Sequence, residues 1–352
     1  MRGQVGPMWL LRLLSIPYGL AVRARVWLYA TGWFPTWTLP CRVISVGNLT
    51  VGGTGKTPVV IWLVQSLLRR GLRVGVLSRG YKRQSGGEFL LVSDGKAVLA
   101  GPAEAGDEPH LIAVRCPGAL VAVGADRYRA GQWVLSRFPL DCVVLDDGFQ
   151  HLALHRDVNL LLVDASAPHD LDALLPAGRL REPLPAAARA TLVLMTRVDQ
   201  VRQQETVAGM VRALGRRDQP VLVRFTPDLF VDVASGEVQE LEGVRGRTAL
   251  LFSGIGNGGA FRATMSGLGV NVVDEVRFPD HHAYRRSDLE RVSDQARRCG
   301  AQLLVTTEKD AGKVAPLVSP GDRVLALRLG TDIVDGRERM EQLLVGMLKD
   351  ER

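Results

Sequence analysis

No acidic side chain occurs between Met1 and Gly87, although twelve lysines and arginines do. The rest of the chain carries 32 basic against 37 acidic residues, so the formal net charge of +7 comes from its front. A basic front on a slightly acidic body points to an anionic surface, either membrane or nucleic acid. Cysteine is scarce: Cys41, Cys116, Cys142 and Cys299 stand far apart, with no C-x-x-C pair. That argues against a disulfide framework or a zinc site and suits reduced thiols in the cytosol. No run reaches the roughly 18 to 20 apolar residues that span a bilayer, and the small-residue cleavage pattern of a secretory signal is missing. There is no tandem repeat and no low-complexity stretch. What remains is ordinary globular material, 46% apolar and 23% charged in 352 residues, long enough for two domains.

Aromatic residues separate the two kinds of anionic surface. Trp9, Trp27, Trp33 and Trp37 lie in the first 40 residues beside Tyr18, Tyr29, Phe34 and the leucines at 10, 11, 13 and 14. Trp and Tyr favour the lipid headgroup level, and arginine attracts anionic lipid. Arg12, Arg23 and Arg25 interrupt the segment and Pro17 bends it, so a helix lying in the interface is expected over 1–40. This company argues against nucleic acid.

From Cys41 onward short apolar runs alternate with longer segments. Strands are expected at Arg42–Val46, Arg73–Leu77, Ala119–Val123, Asp141–Leu145, Val158–Val163 and Thr191–Met195, with helices at Pro58–Arg70 and Asp126–Phe138. Phe89–Val92 and Ala97–Leu99, around Asp94-Gly95, look like a hairpin. Continuous β-branched runs separated by helices indicate a parallel sheet covered on both faces, the doubly wound α/β class. Near Pro227 the texture shifts. Leu229–Val233 and Val238–Leu241 form an expected hairpin linker, and a second α/β unit follows, with strands at Ala249–Phe252, Val270–Arg277 and Gln302–Val305. The expected division is an interface segment 1–40, a core 41–228, a linker 229–242 and a smaller α/β domain 243–352.

Gly52-Gly53-Thr54-Gly55-Lys56-Thr57 lies between a strand and a helix, where backbone N–H groups and the helix dipole converge on phosphate. Lys56 would reach the β and γ phosphates, and the Thr57 hydroxyl would bind Mg²⁺. Thr50 stands where the strict G-x-x-x-x-G-K-[ST] pattern has glycine, so the loop is closer to a G-G-x-G-K-T form. Val51 stands where variant ATPases of that kind carry a signature lysine. A phosphate loop also needs a strand-end acid for its metal, and Cys142-Val143-Val144-Leu145-Asp146-Asp147 supplies two; which of them contacts the ion directly stays open. Asp107, in the Gly-rich connector before an apolar helix, reads either as a helix N-cap or as a group that takes a hydroxyl proton.

Val46-Gly47-Asn48-Leu49-Thr50-Val51-Gly52-Gly53-Thr54-Gly55-Lys56-Thr57-Pro58 resembles the loop of the tetraacyldisaccharide 4'-kinase (lipid A 4'-kinase) family. So do Ser78-Arg79-Gly80-Tyr81, Gly106-Asp107-Glu108-Pro109, Asp146-Asp147-Gly148-Phe149-Gln150-His151, Arg181-Glu182-Pro183-Leu184, Gly254-Ile255-Gly256-Asn257, Asp280-His281 and Thr307-Glu308-Lys309-Asp310, in family order along nearly the whole chain. The resemblance implies a P-loop NTPase-like fold, ATP and Mg²⁺. The acceptor it implies is the 4' hydroxyl of a tetraacylated glucosamine disaccharide 1-phosphate, at the cytoplasmic face of a bacterial inner membrane. It further implies that Asp107 is the base, that His281 couples to it (His282 being the alternative), and that Arg127 stands near the reacting phosphates. Asp146, Asp147 and Glu182 then join Thr57 around the metal, and Gln150 lies close by. With His281 in the second domain, the site would sit in a cleft that domain closure completes.

Thr196-Arg197-Val198-Asp199 and Thr307-Glu308-Lys309-Asp310 both follow apolar strands. The first loosely matches the T/N-K-x-D box of GTPases, and a structural or adenine-edge role is expected for it. Ser78, Arg79 and Tyr81 read either as contacts to the acceptor's phosphate or sugar or as a turn after a strand, and Lys82 and Arg83 extend that basic edge towards an anionic lipid. No obligate protein partner is indicated. The competing function is a membrane-associated P-loop ATPase or GTPase switch without a small-molecule acceptor, which leaves Gly-Asp-Glu-Pro and the distal Asp-His unexplained.

Overall fold

The computed structural model describes residues 8–80, 86–201, 203–318 and 322–349. Tyr81, Lys82 and Arg83 lie outside the described residues, so the basic edge expected there is not placed. In chain order the elements are α1 (Met8–Ala30), β1 (Arg42–Asn48), α2 (Lys56–Leu68), β2 (Val74–Ser78), β3 (Phe89–Asp94), α3 (Pro102–Ala105) and α4 (Asp107–Arg115). Next come β4 (Leu120–Gly124), α5 (Arg127–Leu135), β5 (Cys142–Asp146), β6 (Val158–Asp164), β7 (Leu192–Thr196), α6 (Gln204–Ala213) and β8 (Val221–Asp232). The remainder is β9 (Val238–Gln239), β10 (Thr248–Ser253), α7 (Gly258–Gly267), β11 (Asn271–Arg277), α8 (Arg286–Cys299), β12 (Leu303–Thr307), α9 (Glu308–Val314), β13 (Val324–Asp335) and α10 (Arg337–Lys349).

These elements form two compact units, each discontinuous in sequence. The first comprises Met1–Arg79, Gly118–Phe225 and Thr331–Arg352; the second comprises Gly80–Pro117 and Thr226–Gly330. The expected boundaries were sequential, at 41–228 and 243–352, whereas the segment around Asp107 clusters with the later unit and the last helix with the earlier one. Composition reports where a chain changes texture, not which earlier segment a later one packs on.

In the first unit the strands run in the order β8-β7-β6-β1-β5-β2-β4, and every pair is parallel. β2, β4, β5 and β7 are buried along their whole length, which is why their sequences are unbroken apolar runs rather than alternating ones. Leu49, Phe149, Leu161, Val163, Met195 and Met210 belong to one core cluster of this unit. Gly47 makes room for Phe149, because a Cβ there would lie 2.6 Å from the Phe149 Cβ.

The second unit has its own parallel set, β11-β10-β12-β13, with Phe252, Tyr284 and Val292 in one core cluster and Phe261, Met265 and Val305 in another. β9 pairs antiparallel with β8, as the expected hairpin requires. The hairpin expected around Asp94-Gly95 is reduced to the bridge Ser93–Val98. Its turn is held by Lys96 and Ala97 N–H groups donating to the Asp94 carboxylate, each at 2.8 Å.

α1 runs for 23 residues through Pro17. One face, Leu11, Ser15, Tyr18, Gly19, Val22 and Val26, is buried or half-buried, with the spacing of one helical stripe. It is fastened by Ser15 Oγ donating to the Leu174 carbonyl at 3.0 Å and Tyr18 OH donating to the Arg181 carbonyl at 2.8 Å. Only Gly19 is fully buried, and there a Cβ would meet the Leu174 Cδ1 at 2.9 Å. The other faces present Trp9, Leu13, Leu14, Ile16, Leu20 and Trp27 to the outside, and Trp33, at 74%, is more exposed still. Among the described residues no helix is long and apolar enough to cross a membrane.

Candidate active site

β1 delivers the chain into the phosphate loop and α2 takes it away, starting at Lys56. Gly55 is the N-cap at φ +81°, a left-handed backbone that glycine adopts freely, and a Cβ there would lie 2.3 Å from the Phe225 ring. Gly52 has φ +117°, and its open face is filled by Arg179, whose guanidinium donates to the Val51 carbonyl at 2.9 and 3.1 Å. Thr196 at the end of β7 donates its hydroxyl to the Thr54 carbonyl at 2.9 Å. The Thr-Arg-Val-Asp box thus braces the phosphate loop. Thr57, the second residue of α2, is half-buried.

Lys56 Nζ donates to Asn48 Oδ1 at 3.2 Å and stands 3.5 Å from Asp147 Oδ1. Gln150 Nε2 donates to the Asn48 carbonyl at 2.9 Å, so the Asp-Asp-Gly-Phe-Gln segment holds β1 as well as carrying the carboxylates. Asp146 ends β5, buried, and accepts from Ser78 Oγ at 2.9 Å. Asp147 follows at φ +53° and accepts from Arg181 at 2.8 Å. Burial pushes the Asp147 carboxyl up, but Lys56 and Arg181 together outweigh it and hold it below its ordinary value. Arg127, the first residue of α5, is buried and donates to the Ala125 carbonyl at 2.7 Å. Burial lowers its pKa against the pull of Asp147, and its Nε has no partner. An unsatisfied buried donor in the first turn of a helix suits an entering phosphate oxygen.

Glu182 is buried and ion-paired through Oε2 with Arg189 at 2.7 Å, and its Oε1 accepts no hydrogen bond. Among the described residues no group of three or more His, Cys, Asp or Glu is placed to hold a metal ion, with or without Glu182. The residue of that motif that reaches the carboxylate pair is Arg181, which the sequence reading quoted without giving it a role. His151 is pushed down to about 4 by burial and by Arg127, so it is neutral at physiological pH.

In the second unit Gly106, at φ +95°, is the N-cap of α4, and Asp107 is the first helical residue. Asp107 is thus not the N-cap of its helix. Asp107 Oδ2 meets His281 Nδ1 at 3.1 Å and Lys313 Nζ at 2.9 Å. Of the two neighbouring histidines, His282 goes elsewhere: it pairs with Asp288 at 3.0 Å and stacks on Phe278. His281 sits at φ +61°, in the loop after β11. Thr307-Glu308-Lys309-Asp310 opens α9, with Thr307 as N-cap accepting from the Asp310 N–H and donating to Asp310 Oδ2 at 2.9 Å. Lys309 and Lys313 were not foreseen as site residues. Their helical i, i+4 spacing was visible, but nothing local in the sequence says that α9 meets Asp107.

The family described as Tetraacyldisaccharide-1-P 4'-kinase matches residues 7–349. A tetraacyldisaccharide 4'-kinase of Geobacter metallireducens is 43% identical over 326 residues, covering 93% of this chain and 94% of that protein. One from Desulfatibacillum aliphaticivorans is 38% identical, covering 96% and 92%. The crystal structure of LpxK from Aquifex aeolicus in complex with ATP superposes with a TM-score of 0.77 at 34% identity, covering 95% of this chain and 97% of that one. A phosphate loop with its strand-end aspartates, an Asp–His pair in a second unit, and a match along almost the whole length place this chain in the tetraacyldisaccharide-1-phosphate 4'-kinase family.

Proposed function

We propose that this kinase transfers the γ-phosphoryl group of ATP to the 4' hydroxyl of a tetraacylated glucosamine disaccharide 1-phosphate, with Asp107 receiving the hydroxyl proton. Phosphoryl transfer asks a protein for positioning and charge neutralisation, with one group to orient or deprotonate the nucleophile. The loop around Gly52, Gly53, Thr54 and Gly55 offers amide donors, and Lys56 and Arg127 offer cations to the phosphates. Thr57, Asp146 and Asp147 are the residues that would hold Mg²⁺, which neutralises charge building on the phosphate oxygens. One Asp147 oxygen accepts no hydrogen bond, as a ligand position needs. Transfer requires the γ-phosphorus and the hydroxyl at Asp107 to come within bonding distance.

The observation that carries the reading is the 3.1 Å contact between Asp107 and His281. A switch that only hydrolyses nucleotide has no use for it, whereas an alcohol acceptor needs a hydrogen-bond acceptor held in one orientation. The lipid nature of that acceptor is supported by α1, whose outward apolar residues and arginines fit the headgroup layer of an anionic membrane at the cytoplasmic face. The test is transfer from labelled ATP to disaccharide 1-phosphate lipid by wild type and by Asp107→Ala. Turnover should fall by about 10²- to 10⁴-fold, the usual contribution of a general base, with ATP binding retained. Undiminished turnover would remove Asp107 from the reaction.

A further inference from the structure

Lys313 is 11% exposed and places its ammonium between two carboxylates, 2.9 Å from Asp107 Oδ2 and 3.0 Å from Asp310 Oδ1. Asp310 is fully buried; its Oδ2 accepts from the Gly254 N–H at 2.9 Å and from Thr307 Oγ at 2.9 Å, while its Oδ1 accepts no hydrogen bond and faces the Lys313 ammonium. One turn earlier, Lys309 Nζ lies 3.4 Å from His281 Nε2 and 3.1 Å from Asp280. An ammonium can only donate. A carboxylate oxygen can only accept, so His281 Nδ1 donates to the same Oδ2 that Lys313 contacts. Both donors to Asp107 thus fall on Oδ2, and no described side chain donates to Oδ1.

We infer that Lys313 is a positioning residue of the transfer reaction: its ion pair pins Asp107 through Oδ2, so that Oδ1 presents a lone pair to the acceptor hydroxyl. The inference rests on the reading of Asp107 given above. The step it serves is balanced within that reaction. The hydroxyl proton passes to Oδ1, the hydroxyl oxygen bonds to the γ-phosphorus, and the bond to the bridging oxygen breaks to leave ADP. A protonated Asp107 would donate to the hydroxyl instead of accepting from it and would hold the nucleophile in the wrong sense. An opposite charge within about 4–6 Å typically lowers a carboxyl pKa by about 1–3 units. The other ionisable groups facing the pair are Lys309 and Asp310 from α9, Asp280 from the histidine's own loop, His110 from α4, and Tyr284. Among these Lys313 is the cation in direct contact with the carboxylate.

The experiment is the pH profile of kcat/KM for lipid acceptor in the full-length enzyme, for Lys313→Met, Lys313→Arg and the double variant Lys313→Met/Asp310→Asn. The double variant guards against misfolding, because it removes the buried charge that would otherwise lose its partner. Removing the cation is expected to move the acid limb up by about one pH unit or more, with the KM for ATP unchanged and with arginine restoring the limb. A folded double variant whose acid limb stays at the wild-type position overturns the inference, and the lysine then serves Asp310 alone. Asp107→Ala, run alongside, separates the two failures. If it keeps full activity, the reading of the site falls. If it is inert while the acid limb of the double variant does not move, only the role of Lys313 falls.

Discussion

Replacing Gly55 by alanine strikes the phosphate loop where two costs can be counted separately. The backbone there has φ +81°, and that Cβ would stand 2.3 Å from both Cε2 and Cζ of Phe225. A side chain in the left-handed region costs about 1–2 kcal/mol, and overpacking a filled site costs about 1–3 kcal/mol more. An unliganded loop escapes both by changing conformation, whereas bound nucleotide requires the amides back in place. The strain should therefore appear in ATP affinity more than in the melting temperature. At about 1.4 kcal/mol per tenfold, the backbone part alone is worth about 5- to 30-fold. The single variant is expected to bind ATP at least about 30-fold more weakly in isothermal titration at fixed magnesium. Adding Phe225→Ala should return it to the backbone-only deficit. Wild-type affinity in Gly55→Ala, or a second substitution that recovers nothing, would refute the reasoning.

Three other outcomes follow from the geometry. Thr196→Val removes the hydroxyl that holds the Thr54 carbonyl, and should cost about 1 kcal/mol in denaturant melts while raising the KM for ATP; an unchanged KM would show that the loop does not need this brace. Trp9→Ala/Leu13→Ala/Trp27→Ala should weaken co-sedimentation with anionic liposomes and leave the melting temperature alone, since all three side chains are exposed; undiminished sedimentation would count against an interfacial α1. His151 has a folded pKa of about 4 against an ordinary 6.5. Its contribution to stability is thus present above about pH 6.5 and lost as pH falls towards 4, so His151→Gln should lose less stability than wild type between pH 7 and 4.5, and parallel curves would disprove it.

What could be read in advance was whatever the chain keeps together locally. The phosphate loop, its preceding strand and its following helix are contiguous, and glycine at φ +81° or +117° is a local demand that a sequence shows openly. The same holds for Asp146 and Asp147, which end a five-residue buried strand. Asp107 and His281 are 174 residues apart, and only resemblance could pair them. Nothing local could have revealed Lys313, which lies three residues beyond the motif that marks the start of α9. The discontinuous units escaped for a related reason. Gly80–Pro117 lies in sequence between two strands of the first unit, and what assigns it to the second unit is the packing of α4 on α9. Glu182 was legible as a motif residue but not by its partner, because the arginine that claims it is seven positions on.

Arg181 carries a consequence that reaches beyond its own ion pair. Its carbonyl takes the Tyr18 hydroxyl from α1, and its guanidinium holds Asp147. α1 and the carboxylate beside Lys56 are thus joined through a single residue. Under the proposed seating of α1 on lipid, the peptide that anchors the helix is the one whose side chain fixes that carboxylate, one amino acid serving both.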